Sequence, residues 1–173
     1  ACRDRLIQVD DLEDTSELAR LLDRTAPTTV VNCIGLGRTE WDDAARMTAV
    51  FALLPRRLAH LCRERGARLV QISSDGVFSG ARGGYVETDL PDAHDHYGRA
   101  KFLGESSDPH TVTLRTSIIG RDIRANRGLV EWFLGQRGEC RGHTRSIFTG
   151  LPAVVLAQIM RDHVFPQTRL HGV

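Results

Sequence analysis

Three short runs along the chain are apolar and rich in β-branched residues: "TTVVNCI" at 28–34, "ARLVQIS" at 67–73 and "TVTLRT" at 111–116. Near-continuous apolar runs of this length predict strands covered on both faces. A shorter run, "RLIQV" at 5–9, predicts a further strand ahead of them. Between the runs the apolar period becomes helical. Residues 15–25 carry "SELARLLDR", and 42–65 repeat apolar positions up to "LAHLCRER", where Gly66 stops the pattern. Pro55 lies inside that second stretch and predicts a kink or a division of the helix. Strand–helix–strand alternation in this rhythm predicts right-handed βαβ units and a parallel sheet, an α/β fold. After residue 116 the pattern loosens into loops rich in Gly and Arg, with short helices at "LVEWFL" and "LPAVVLAQIM".

Composition narrows the class. At 173 residues the chain is about one domain long, with 41% hydrophobic and 26% charged residues, the balance of an ordinary globular protein. A formal net charge of +1 gives no reason to expect a nucleic-acid or acidic-surface partner. The longest apolar run, "AVFALL" from Ala49, is too short to span a membrane, and no signal-peptide pattern opens the sequence. Cys2, Cys33, Cys62 and Cys140 have no paired spacing, so neither a disulfide frame nor a zinc knuckle is expected. Cys33 and Cys62 lie in apolar runs and read as reduced core residues; the expected location is cytoplasmic.

In a parallel sheet of this kind, ligands sit beyond the carboxyl ends of the strands. The segments there are "NCIGLG", "SSDGVFSG" and "TSIIG", where glycine and polar residues gather. Nearby, "DHYGRAK" holds Tyr97 and Lys101 four residues apart, on one face of a helix. Of the 23 cationic side chains, Lys101 is the single lysine. A phenol of ordinary pKa, about 10, is a poor acid or base near neutrality. A fixed ammonium lowers that pKa, and arginine, planar and forked, is a poor substitute for such a point charge. The pair is expected on a helix surface facing a cleft. Ser73 and Ser74 follow "LVQI" at the mouth of the sheet, where a serine either caps a turn or orients a substrate carbonyl.

These residues carry a resemblance. Ser74, Tyr97 and Lys101 resemble the Ser/Thr–Tyr–Lys set of the extended short-chain dehydrogenase/reductases. The block "ISSDGVFSG…GGYVETDLPDAHDHYGRAKFLGE" is similar to the dTDP-4-dehydrorhamnose reductase branch, as are "VVNCIG", "LRTSIIG", "GLVEWFL" and "IFTGLPAVVLAQIM". The resemblance covers residues 5 to 173 and is most specific from Ser73 to Glu105. It implies a doubly wound, Rossmann-type NAD(P)-binding domain at 1–116, with the first βαβ unit absent, and a small substrate lobe at 117–173 whose last part packs back on the core. The implied function is NAD(P)H-dependent reduction of a 4-keto sugar nucleotide in deoxysugar or polysaccharide biosynthesis. Catalysis is expected from Ser74, Tyr97 and Lys101. Cofactor contacts are expected from Asp10, Asp11, Cys33, Ile34, Gly35, Tyr97, Lys101 and Thr116. Sugar-nucleotide contacts are expected from Asp75, Gly76, Val77, Ser117 and Ile118. No metal, nucleic acid or membrane is implied, and a homodimer is compatible with the resemblance.

Sugar-nucleotide dehydratases of the same superfamily have an Asp-Glu pair after the catalytic hydroxyl; here Asp75 is followed by Gly76, which favours a reductase, with an epimerase third. Two departures stand out. The family's glycine-rich turn is absent, and "GLG" at 35–37 has Glu40 at the third glycine position. Phe51 stands where the family has an asparagine that organises the proton relay behind the lysine. Both favour the rival reading, a non-catalytic regulatory subunit that docks on an enzyme partner. Asp10 and Asp11 contact adenine or cap the next helix, and Arg3 is the candidate contact to a cofactor 2′-phosphate. Asp92, His94, Asp95 and His96 form a metal cluster or a polar turn. Arg115 fits an ion pair or a pyrophosphate contact, and the arginines between 121 and 145 fit phosphate recognition or a solvated loop.

Overall fold

The computed structural model describes residues 7–37, 40–122, 128–144 and 148–173. Arg3, Cys2 and the start of the expected 5–9 strand lie outside the described residues. Of that strand, Ile7–Val9 is not in a strand.

Helix α1, Thr15–Thr25, begins where the pattern predicts, because Asp14 caps it. The Asp14 carboxylate accepts the Ser16 and Glu17 N–H groups at 2.7 and 3.2 Å. The helix ends at Ala26 in a left-handed conformation (φ 42°), its N–H returning to the Leu22 carbonyl. Strands β1 (Thr29–Asn32), β2 (Arg68–Ile72) and β3 (Thr111–Leu114) form one parallel sheet in that order. β2, the central strand, is buried along its whole length. β1 pairs with β2 from Thr29↔Arg68 to Asn32↔Gln71, so Ile72 lies one residue past that register. The chain's last residues return to the outer edge of β3, where Gly172 pairs with Val112 and its carbonyl accepts the Thr113 N–H at 2.7 Å.

The long helical stretch is divided as Pro55 predicts, but the break falls just before the proline. Helix α2 (Ala44–Thr48), capped by Asp43, runs into a π-helical turn at Ala49–Leu53 and then into α3 (Leu54–Glu64). Pro55 sits in the first turn of α3, where its missing N–H costs least, and the widened turn before it takes up the mismatch. Leu18 and Leu22 of α1 join Leu54, Leu58, Leu61 and Cys62 of α3 in a core against Leu69 of β2.

Two units divide the chain: residues 1–114 with 171–173, and 115–170. The second holds a feature absent from the sequence reading, a parallel pair of two-residue strands, β4 (Ile118–Ile119) and β5 (Leu151–Pro152). Close approach at Gly150 permits it: a Cβ there would lie 2.5 Å from the Ser117 carbonyl oxygen. Helix α5 (Leu129–Leu134) follows β4, and α6 (Ala153–Ile159) continues into a π-helical end at Met160–Val164. No described helix is long and apolar enough to cross a membrane.

Candidate active site

Past the end of β2, Ser73 and Ser74 lead into a single 3₁₀ turn, Asp75–Val77. Ser74 caps that turn, its Oγ accepting the Gly76 N–H at 3.0 Å. Helix α4 (His96–Gly104) is capped by Asp95, whose carboxylate accepts the Gly98 N–H at 2.9 Å. Two glycines set how close α4 comes to its neighbours. A Cβ on Gly98 would lie 2.3 Å from the Gly76 carbonyl oxygen, and one on Gly104 would lie 2.1 Å from that of Phe51. Neither position has room for a side chain, so α4 packs directly on the 3₁₀ turn and on the π turn. Tyr97 thereby comes beside Ser74: a Cβ on Gly76 would lie 3.1 Å from Ser74 Oγ and 3.3 Å from the Tyr97 ring.

The Tyr97 ring stacks on Trp41, centroids 4.5 Å apart and planes 12° apart, and meets Phe51 edge-on at 5.3 Å. Burial raises the phenol's pKa; the Ser74 hydrogen bond opposes the rise, and Asp75 and Asp95 add to it. The expected lowering by Lys101 is therefore not what this chain's own geometry gives. Lys101 is 8% exposed, so it is a buried residue and not part of a helix surface facing a cleft. Its Nζ donates to the Ile72 carbonyl at 3.3 Å and lies 4.6 Å from the centre of the Phe51 ring. Burial lowers its pKa to about 8, against the pull of Cys33 and Glu105.

Behind the lysine lies a set of buried polar side chains, of which the sequence reading had noted only Ser73. Asn32 Nδ2 donates to Gln71 Oε1 at 2.8 Å, and Gln71 Nε2 donates to the Ile72 carbonyl at 2.9 Å. Asn32 Oδ1 accepts the Ile34 N–H at 3.1 Å. Ser73 Oγ donates to Glu105 Oε1 at 2.7 Å. One signal was available: an amide within the otherwise apolar "LVQI" must find a partner once buried. Trp41 gave none.

The remaining expected residues fall in three places. Cys33, Ile34 and Gly35 follow β1, and Cys33 is exposed and not in the core: β1 ends at Asn32 and, unlike the expected strand covered on both faces, is itself only partly covered, with Val31 exposed. Asp75 and Gly76 lie at the site, a Cβ on Gly76 coming 3.3 Å from the Tyr97 ring, while the Val77 side chain is wholly buried. Asp10 and Asp11 do not cap α1; their N–H groups donate to the Glu17 carboxylate, and Asp14 takes the cap. Thr116, Ser117 and Ile118 belong to the second unit, where Ser117 O accepts the Leu151 N–H and Ile118 pairs with Leu151. Asp92 accepts from Ser79 and Tyr85, Asp95 caps α4, and His96 bonds Thr48 and the Ala44 carbonyl. Among the described residues no group of three or more His, Cys, Asp or Glu could hold a metal ion. Arg121 is engaged by Glu131, while Arg124, Arg127 and Arg145 lie outside the described residues.

A parallel-sheet α/β domain with a Ser–Tyr–Lys set at the carboxyl end of its strands defines a Rossmann-type reductase-like class. The RmlD substrate binding domain family matches residues 3–130, and the chain belongs to that family. It is 36% identical over 120 residues to a dTDP-4-keto-6-deoxy-D-glucose reductase of Streptomyces niveus, covering 64% of this chain and 42% of that protein. Over 103 residues it is 35% identical to the dTDP-4-dehydrorhamnose reductase of Mycobacterium tuberculosis, covering 52% and 33% of the two chains. These matches span less than half the length of either relative. Among solved structures, dTDP-4-dehydrorhamnose reductase from Bacillus anthracis in complex with NADP aligns at 25% identity and a TM-score of 0.60, over 67% of this chain and 44% of that one. The Bordetella bronchiseptica enzyme WbmG in complex with NAD and UDP shares the fold at 22% identity and a TM-score of 0.69, over 96% of this chain and 54% of its own.

Proposed function

We propose that this chain carries the catalytic residues of a cytosolic reductase that converts a 4-keto sugar nucleotide to the alcohol with NADH or NADPH. The observation that carries the reading is Tyr97 beside Ser74, with the buried Lys101 one turn further along α4. Relatives named as reductases of dTDP-linked keto sugars support it, as does the NADP held by the Bacillus anthracis structure.

The donor set fits such a cofactor and substrate: two hydroxyls and one ammonium suit ribose hydroxyls and a ketone oxygen. Gly35 adds an open stretch of backbone beyond β1, since the nearest atom to a Cβ there, on Phe51, would be 4.0 Å away. In this reading Asp10, Asp11, Cys33 and Ile34 complete the first unit's cofactor contacts, and Asp75 and Gly76 face the sugar nucleotide.

A reduced nicotinamide, when bound, supplies hydride to the keto carbon. Ser74 Oγ–H donates to the ketone oxygen and holds it in place. As the C=O electron pair moves onto oxygen, Tyr97 passes its phenolic proton to that oxygen and completes the alcohol. Its raised pKa keeps the phenol protonated at neutral pH, the state a general acid needs. Lys101, charged below about pH 8, would meet the ribose hydroxyls of the cofactor, and water restores the proton to the phenolate left behind. Gly76 leaves no second acid beside Ser74 for loss of water.

The test is incubation with a dTDP-4-keto-6-deoxy sugar and NADPH or NADH. One cofactor should be consumed per alcohol formed, and Tyr97→Phe should lower turnover about 10²-fold or more. One observation favours a second reading: Phe51, where the resemblance leads one to expect an asparagine, places an apolar ring 4.6 Å from the lysine Nζ. Cofactor binding without turnover, with an enzyme partner copurifying, would establish a regulatory subunit instead.

A further inference from the structure

Lys101 lies where few groups can hold it. Around it stand Cys33 beyond β1, Glu105 on its own helix, the Phe51 ring and the Ile72 carbonyl. Glu105 already accepts from Ser73, and Phe51 offers only the face of a ring. Among the described residues, the Ile72 carbonyl accepts the hydrogen bond that the ammonium donates. It lies one residue past the β1–β2 register, and Gln71 Nε2 donates to it alongside the lysine. Gln71 is in turn held by Asn32, whose amide orientation is set by the Ile34 N–H.

We infer that Asn32 and Gln71 are positioning residues for Lys101: a buried chain of side-chain amides fixes the Ile72 carbonyl that seats the ammonium and ties it to the Cys33–Gly35 segment. The chain of contacts runs Ile34 N–H to Asn32, Asn32 to Gln71, Gln71 to the Ile72 carbonyl, and the carbonyl to Lys101 Nζ, each link between 2.8 and 3.3 Å. A leucine at 71 would spare the strand a buried amide that needs two partners. The amide instead supplies what Phe51 cannot, a directional polar contact behind the lysine. The cofactor-side segment and the lysine then move as one unit. The consequence for turnover rests on the reductase reading; the placement of the lysine does not.

Because Lys101 is the single lysine, protein labelled with 13Cε-lysine gives one ε-methylene NMR signal. In the unaltered chain that signal should be displaced upfield by the Phe51 ring and titrate near pH about 8. Gln71→Leu should release the lysine: the upfield displacement shrinks and the midpoint rises toward the ordinary value of about 10.4. Gln71→Glu keeps an acceptor for Asn32 but loses the Nε2 donor to the Ile72 carbonyl, so the ring displacement should shrink as in Gln71→Leu while the added carboxylate raises the midpoint. The double variant Asn32→Val/Gln71→Leu leaves no orphaned amide, so its fold, checked by circular dichroism, should persist while the lysine signal moves as in Gln71→Leu. A folded double variant with signal and midpoint unchanged would overturn the inference, as would a Gln71→Glu variant with an unmoved midpoint. With the keto sugar and cofactor, the double variant should lose about tenfold or more in turnover. A displaced lysine in a protein that shows no reduction even unaltered would sink the reductase reading and leave the positioning intact.

Discussion

In the first unit the central strand is buried from end to end and still carries a glutamine side chain, whereas in the second unit helix α5 has no buried residue and leaves Trp132 51% and Leu134 57% exposed. Among the described residues, burial is the leading cause of the pKa shifts of Cys62, Tyr97 and Lys101 in the first unit, which also holds exposed pairs such as Arg65–Asp23 and Arg82–Asp89, while in the second the shifts of Arg121, Arg161 and Asp162 come first from exposed ion pairs. Exposed pairs of that kind contribute little and fade with salt. Burial is what changes the chemistry of a side chain, so the chemistry concentrates where the helix packs closest.

The comparison can be broken most severely at the glycines of α4. Gly104→Ala forces a Cβ against the Phe51 carbonyl oxygen at 2.1 Å and should cost about 3 kcal/mol or more, read as a lowered urea midpoint. Loss of under about 1 kcal/mol would mean that α4 does not pack on the π turn as closely as described. Lys101→Met comes next, with the opposite sign. The lysine's folded pKa of about 8 lies below its ordinary 10.5, so the folded state binds fewer protons between these values and stability rises with pH across that window. Below about pH 8 the burial penalty is fully present, and removing the charge should stabilise the fold by about 2 to 3 kcal/mol at pH 7. The variant should also lack the rise in stability that the unaltered chain shows from about pH 8 to about 10.5.

Trp41→Leu removes the ring stacked on Tyr97 and should cost about 1 kcal/mol beyond the lost area. By opening one face of the phenol it should also bring the tyrosine's pKa down toward its ordinary value, seen by ultraviolet titration. Smallest of all, Leu134→Ser on α5 should change stability by less than about 0.5 kcal/mol. A larger loss would show that this helix is covered in solution.

Much of this was legible in the residues. The three parallel strands, α1 and the Tyr97–Lys101 helix follow from β-branched runs, the acidic cap region and four-residue spacing. Cys33 was misread because an apolar run does not mark where strand pairing stops, and β1 stops at Asn32. The depth of Lys101 was also hidden. Burial on α4 depends on Gly98 and Gly104, whose role is visible only when the 3₁₀ and π turns are brought against them. The amide ladder escaped for the same reason: Asn32 and Gln71 are 39 residues apart and meet only through strand register.

Whether Tyr97 completes a hydride reduction at this site is read with NADH or NADPH carrying deuterium at the transferable position of the nicotinamide and a dTDP-4-keto-6-deoxy sugar as substrate. The unaltered protein should give an alcohol with deuterium on the former keto carbon, and Tyr97→Phe about 10²-fold less of it in the same time. An alcohol without deuterium, or equal labelled product from the Tyr97→Phe variant, would contradict that reading.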